Sequence, residues 1–186
     1  DPLWSRGLGD VYKRQGQNMH AVFQRLVSLL DSHQARYRVI FHPAEGQSAR
    51  VAEIRGTEPG QGAKAMLCSL KGTDEVYGLV ILSGDQKLDM KKVGAALGGK
   101  KAQLVSPELA RELTGCVIGA IAPLSFDPRI RLIVDPQLTS RYSEIAFNAG
   151  RLDASMVLDT QDYLRVAQPL LLSVTRDLES DSAQPG

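Results

Sequence analysis

GQGAKAMLCSLKGTDEVYGLVIL, residues 60–82, reads as two apolar strands joined by a polar turn. Ala63 to Leu70 and Val76 to Leu82 are the two runs, and KGTDE between them is the turn of a hairpin. Side chains alternate faces along a strand, so Lys64, Met66, Cys68 and Leu70 share one face. A single ammonium beside three apolar residues has two readings. It is an edge lysine whose stem lies along the sheet, or a functional charge projecting into a cavity.

Working outward, Val22, Phe23, Leu26, Val27, Leu29 and Leu30 recur at helical spacing and predict a helix from about 20 to 33. Tyr37 to Phe41 alternates as a strand that ends at His42-Pro43, and 47–56 reads as a short helix stopped by Gly56. Asp89 caps a helix ending at Gly98-Gly99, and Ala102 to Val105 is a short strand. Ser106-Pro107 opens a helix closed by Gly115. Val117–Ile121, Ile130–Val134, Ile145–Phe147 and Ser155–Leu158 are strand candidates. Thr160 to Ala167 is a last helix, stopped before Pro169. Helices and strands mix without strict βαβ alternation, which predicts an α+β fold with a mixed, curved sheet.

The 186 residues amount to one domain, placed at 19–175 with a polar tail at 176–186. The first eighteen residues hold the only Trp and no apolar period. They read as a non-native extension before a chain opening at Met19, with a genuine disordered tail as the alternative. The whole chain has 22 basic and 21 acidic residues; the extension carries Arg6, Lys13, Arg14, Asp1 and Asp10, so the remainder is neutral. Neutrality excludes a bulk polycation and leaves room for one local basic patch. Two cysteines make no disulfide framework and fit reduced thiols of a cytoplasmic protein. No run reaches the roughly 20 apolar residues that span a bilayer.

Several motifs fail on inspection. GAALGGKK, residues 94–101, nearly spells a phosphate-binding loop, but Lys101 stands where Ser or Thr is needed, and a helix precedes it where a strand belongs. The histidines, His20, His33 and His42, have no metal-ligand spacing. No GxSxG elbow is present. A Cys116–His42 nucleophile pair has no spacing to support it, and a buried structural thiol is the competing reading. GCVIGAIAPLSF, residues 115–126, is a small-residue loop able to bring backbone N–H groups near a ligand.

Taken in order, HPAEGQSARVAEIRG, GQGAK, LGGKKAQLVSPEL, GCVIGAIAPLSF and EIAFNAGRLDASMVLDTQDYLRV resemble the YbaK/ProX family of trans-editing aminoacyl-tRNA deacylases. That family is related to the editing domain of bacterial prolyl-tRNA synthetases. The resemblance runs from about Met19 to Ala167. It implies a largely antiparallel mixed sheet wrapped into a partial barrel with flanking helices. It also implies hydrolysis of the ester joining a small amino acid (Ser, Thr or Ala) to the tRNA 3′-terminal adenosine. A non-catalytic aminoacyl- or amino-acid-binding module is the alternative.

Within the resemblance, Lys64 matches the key lysine. Gly119, Ala120, Ile121, Ala122 and Pro123 match the GxxxP loop, with Ala120 where the family often has glycine. Asn148, Gly150 and His42 fall in the substrate-binding set. Catalysis is then expected from Lys64 and the backbone N–H groups near Gly119 and Ala120, helped by the ribose 2′-hydroxyl, with no metal or cofactor. Lys91, Lys92, Lys100 and Lys101 are read as a patch for the acceptor end, against a plain solvated helix face. The expected partners are the aminoacyl-tRNA acceptor end and an aminoacyl-tRNA synthetase, with no DNA and no membrane.

Overall fold

The structure, a computed structural model, describes residues 21–73 and 75–177. The 1–18 segment and most of the 176–186 tail lie outside these residues. Helix α1 (Ala21–Ser32) buries Phe23, Leu26, Val27 and Leu30, the one face its period dictates. Strand β1 (Tyr37–Phe41) follows, then α2 (Ser48–Arg55), which Gly56 ends in the left-handed conformation at φ +72°. A single 3₁₀ turn, Pro59–Gln61, leads into β2 (Ala63–Leu70) and β3 (Tyr77–Ser83). These two pair antiparallel, as the hairpin reading expects, and the register sets Lys64 opposite Leu82.

Helix α3 (Met90–Ala96) is capped by Asp89, whose carboxylate accepts from the Lys91 and Lys92 N–H groups. Then come β4 (Ala102–Leu104) and α4 (Pro107–Thr114), with Ser106 accepting from Leu109 N–H. The rest is β5 (Ile130–Val134), α5 (Pro136–Arg141), β6 (Glu144–Arg151), β7 (Ala154–Asp159), α6 (Thr160–Ala167) and the two-residue β8 (Leu170–Leu171).

The strands make two sheets, ordered β1-β7-β6 and β4-β2-β3-β5-β8. The first is antiparallel; in the second, β5 runs parallel to both β3 and β8. Among the described residues, one parallel bridge, Gly62 to Ala146, ties the sheets together. The larger core cluster fills the space between them and α1, with Phe23, Ile81, Phe147 and Tyr163 fully enclosed. A second cluster on the other face of β2 and β3 gathers Cys68, Leu70, Val80 and Ile133 under α3.

Two readings change. Val117–Ile121 forms no strand: the Ala120 N–H donates to the Val117 carbonyl at 3.0 Å, and Gly119 adopts φ +91°. Small apolar residues here fold into a tight turn, because the left-handed glycine breaks the extended run. Helix α5, by contrast, is absent from the periodicity. Asp135-Pro136 opens it: Asp135 accepts from Gln137 N–H at 2.9 Å, a cap-plus-proline signal as clear as the one at Ser106-Pro107. The same buried carboxylate also accepts from Val174 N–H and the Thr175 hydroxyl, each at 3.0 Å, tying the C-terminal segment to the sheet.

Candidate functional site

The pocket lies on the open edge of β2. On that side β4 pairs only with Cys68 to Leu70, and Val105 N–H reaches the Leu67 carbonyl at 3.1 Å. At the strand's start, the Gly62–Ala146 bridge brings in β6. Between these attachments, among the described residues, the edge from Ala63 to Met66 carries no strand. A cavity of about 150 Å³ opens there, lined by Lys64, Arg55, Ile118, Gly119, Ile121 and Asn148 together with residues of β2, β6 and the 46–51 segment. This is small beside the ~300–1,000 Å³ of pockets that hold drug-sized ligands. Among the described residues no Asp or Glu lines it.

Lys64 is half-buried and its Nζ donates to the Gln86 carbonyl at 3.0 Å. Burial lowers its pKa below the ordinary lysine value; Asp85 pulls the other way, and Lys87 lowers it further. So the face read from the sequence divides. Met66, Cys68 and Leu70 meet the second core cluster, while Lys64 reaches past it to the 85–87 turn.

The loop from Gly119 to Pro123 is held by its carbonyls. Asn148 Nδ2 donates to the Gly119 carbonyl at 2.8 Å and to the Glu45 carbonyl at 3.0 Å. Gly150 N–H donates to the Ala120 carbonyl at 2.9 Å, and the Tyr163 hydroxyl to that of Pro123 at 2.7 Å. Gly119 also meets the neighbouring loop closely: a Cβ there would lie 3.4 Å from Gly46 Cα, in a backbone conformation side chains rarely adopt. Among the described residues no protein acceptor meets the Gly119 N–H, and Gly119 lines the pocket.

Lys64, Gly119, Ile121 and Asn148 are thus brought together. The other sequence-assigned residues are not in the lining. Ala120 is 1% exposed, its methyl sits in the core, and its N–H is spent on Val117, so it is not a second donor beside Gly119. Ala122 and Pro123 are buried behind the loop. Gly150 sits where the β6–β7 register shifts, against α1, and a Cβ there would come within 2.9 Å of Val22. His42 supports the site from behind: Nδ1 donates to the Pro43 carbonyl at 2.8 Å, and Nε2 lies 2.7 Å from the Ser155 hydroxyl. It makes no pair with Cys116, whose buried thiol is pushed up to about 11 and contacts the Thr114 carbonyl.

Two residues escaped the sequence reading. Arg55 and Ser155 complete a buried polar network: Arg55 Nε donates to Ser155 Oγ at 2.7 Å, and Nη2 to Asn148 Oδ1 at 3.1 Å. Ser155 Oγ also lies 3.2 Å from Asn148 Oδ1. An arginine at a helix C-terminus reads as a solvated partner of the helix dipole, so its sequence position hid it. The available signal for Ser155 was its place as a lone polar residue within an apolar run, since Ala154 to Leu158 of β7 are all buried.

The lysine patch is only partly present. Lys92 Nζ donates to the Thr175 carbonyl at 2.8 Å and pairs with Asp177 at 3.2 Å. Lys91, Lys100 and Lys101 remain exposed around α3. A larger cavity, about 240 Å³, shares only Ile121 with the pocket and sits under Arg25, which stacks 4.2 Å over Phe126. None of Lys64, Arg55 and Asn148 reaches it, so size does not make it the site. Among the described residues no helix is long and apolar enough to cross a membrane.

Residues 42–166 match the aminoacyl-tRNA editing domain family. The chain is 50% identical over 154 residues to the multifunctional Ser/Thr-tRNA deacylase ProXp-y of Escherichia coli strain K12, covering 82% of this chain and 92% of that protein. It is 32% identical over 72 residues to a proline–tRNA ligase of Listeria innocua, covering 39% of this chain and 13% of the ligase. A solved structure of a candidate trans-editing enzyme for prolyl-tRNA synthetase superposes with a TM-score of 0.72 at 23% identity, over 84% of this chain and 98% of that one. The fold, the matched span and the half-identical relative agree: the chain belongs to the aminoacyl-tRNA editing domain family.

Proposed function

We propose that this protein hydrolyses the ester of a tRNA mischarged with a small amino acid, with Ser and Thr the acyl groups favoured. The observation that carries this reading is one convergence. Among the described residues, a half-buried lysine, a Gly119 N–H with no protein acceptor and a pocket of about 150 Å³ without an acid meet at a strand edge that carries no neighbour. In the reaction, water adds to the ester carbonyl carbon and the bond to the ribose oxygen breaks. The water's proton passes to the departing ribose oxygen, with the neighbouring 2′-hydroxyl as relay. Gly119 N–H faces the developing oxyanion. Lys64, as a cation, holds the acceptor end's phosphate or the aminoacyl group. Positioned donors of this kind are each worth ~10²–10³ in rate.

Small size excludes bulky acyl groups by clash, whereas one methyl among small ones is worth only about 1–3 kcal/mol. The test is single-turnover hydrolysis of Ser-, Thr-, Ala- and Pro-tRNA by the wild type and by Lys64→Ala. Wild type should deacylate the small-acyl substrates. Lys64→Ala should lose ~100-fold or more while unfolding at an unchanged midpoint. Binding without hydrolysis by the wild type would establish a binding module instead, and near-normal turnover by the variant would remove Lys64 from the mechanism.

A further inference from the structure

Arg55 is an unusual group to bury. It closes α2, is 8% exposed, and faces Ser155 and Asn148 rather than a carboxylate. Its removal from water pulls the guanidinium down to about 10, so it is still charged at neutral pH. Two of its three nitrogens are used within the network. Among the described residues, no protein acceptor meets Nη1, which lies by Gly62, where a Cβ would stand 3.8 Å from it. Arg55 and Gly62 both line the pocket. Nη1 is not among the fully buried atoms that lack a partner, so it keeps contact with solvent, and an occupant that displaces that solvent must itself supply an oxygen or leave the donor unmet.

Depth decides which part of the occupant that is. Lys64 is half-buried and Arg55 is nearly enclosed, so Arg55 lies beyond the scissile ester if the ester sits between Lys64 and Gly119. The substrate's α-ammonium is repelled by both cations. What remains to reach Nη1 is the end of the acyl side chain. Resting on the deacylase reading above, we infer that Arg55 is a specificity-determining residue whose Nη1 donates to the side-chain hydroxyl of a β-hydroxy acyl group. Serine and threonine present that oxygen; alanine and valine of matching shape do not. A site built to meet a substrate hydroxyl discriminates against the analogue lacking it far more strongly than an apolar pocket counts methyls.

The experiment compares kcat/KM for Ser- against Ala-tRNA and Thr- against Val-tRNA, each pair on one tRNA. Wild type should favour the hydroxylated member. Arg55→Met should lower the Ser/Ala ratio by about tenfold or more. Since Arg55→Met also removes bonds to Ser155 and Asn148, Gly62→Ala is the second variant. Gly62 has φ −68°, open to any residue, and the new methyl would stand in ordinary contact with Nη1, 3.8 Å away, taking space beside it from an occupant's oxygen while leaving those two bonds in place. It should lower the same ratio. If Ser and Ala hydrolysis fall together in both variants, Arg55 only supports the loop and the inference is overturned. A wild type that hydrolyses both members of each pair equally also overturns it, leaving the deacylase reading intact. A wild type that hydrolyses none removes the deacylase reading itself.

Discussion

Lys64 is a charge placed in a field that can be changed one residue at a time. Burial and Lys87 disfavour its ammonium, and Asp85 favours it. If the cation is the working form, activity is present below its pKa and is lost as pH rises through it. The alkaline limb of kcat/KM should therefore enter below the range of an ordinary lysine. Lys87→Gln removes a repulsion and should move that limb to higher pH; Asp85→Asn removes an attraction and should move it lower. A pH–rate profile corrected for spontaneous ester hydrolysis reads both shifts, and limbs that stay put would detach activity from this ammonium. The sequence offered Lys64 because an ammonium in an apolar alternation is anomalous on its face. It could not offer Arg55. EIRG at 53–56 looks like any exposed helix end, and only the approach of β6 and β7, nearly a hundred residues later, buries the guanidinium.

Elements were legible where their signals are local. The β2–β3 hairpin follows from period-two alternation around a short polar turn, and α1, α3, α4 and α6 from caps and helical spacing. The parallel pairing of β3 with β5 is set by a partner some fifty residues away, which leaves no mark on either strand's own pattern. The near match to a phosphate loop at 94–101 has a packing explanation in the structure. Gly94 lies inside α3, and a Cβ on it would come within 2.5 Å of the Lys101 backbone nitrogen. Helix and returning chain touch through a missing side chain, and neither backbone is free to give. Gly94→Ala should destabilise the protein by about 1–3 kcal/mol, despite alanine's better helix propensity. Urea denaturation checks the sign; a gain in stability would mean that the 98–101 turn yields easily.

For the whole molecule, two sheets share one bridge, and the pocket opens at that seam. Each wall comes from a different part of the chain: Arg55 ends a helix, Lys64 starts a strand, Gly119 turns a loop and Asn148 sits mid-strand. A formal net charge of only +1 does not exclude a polyanionic partner, because basic residues can cluster locally. Lys91, Lys100 and Lys101 stand exposed around α3, and Lys71 N–H donates to the Lys101 carbonyl at 2.9 Å. From Lys64 to Lys71 along β2 is roughly 20 Å. We propose that a substrate whose single-stranded 3′ end enters the pocket lays its first stem phosphates against these lysines. Lys100→Glu with Lys101→Glu should raise KM for aminoacyl-tRNA about tenfold at low salt and flatten its salt dependence, with kcat nearly unchanged. The same double variant should hydrolyse an aminoacyl-adenosine, which has no stem, at the wild-type rate. That contrast separates a stem contact from a disturbed pocket, since damage at the pocket lowers both substrates. An unchanged KM at low salt would leave the lysines as an ordinary solvated face and confine recognition to the terminal nucleotide.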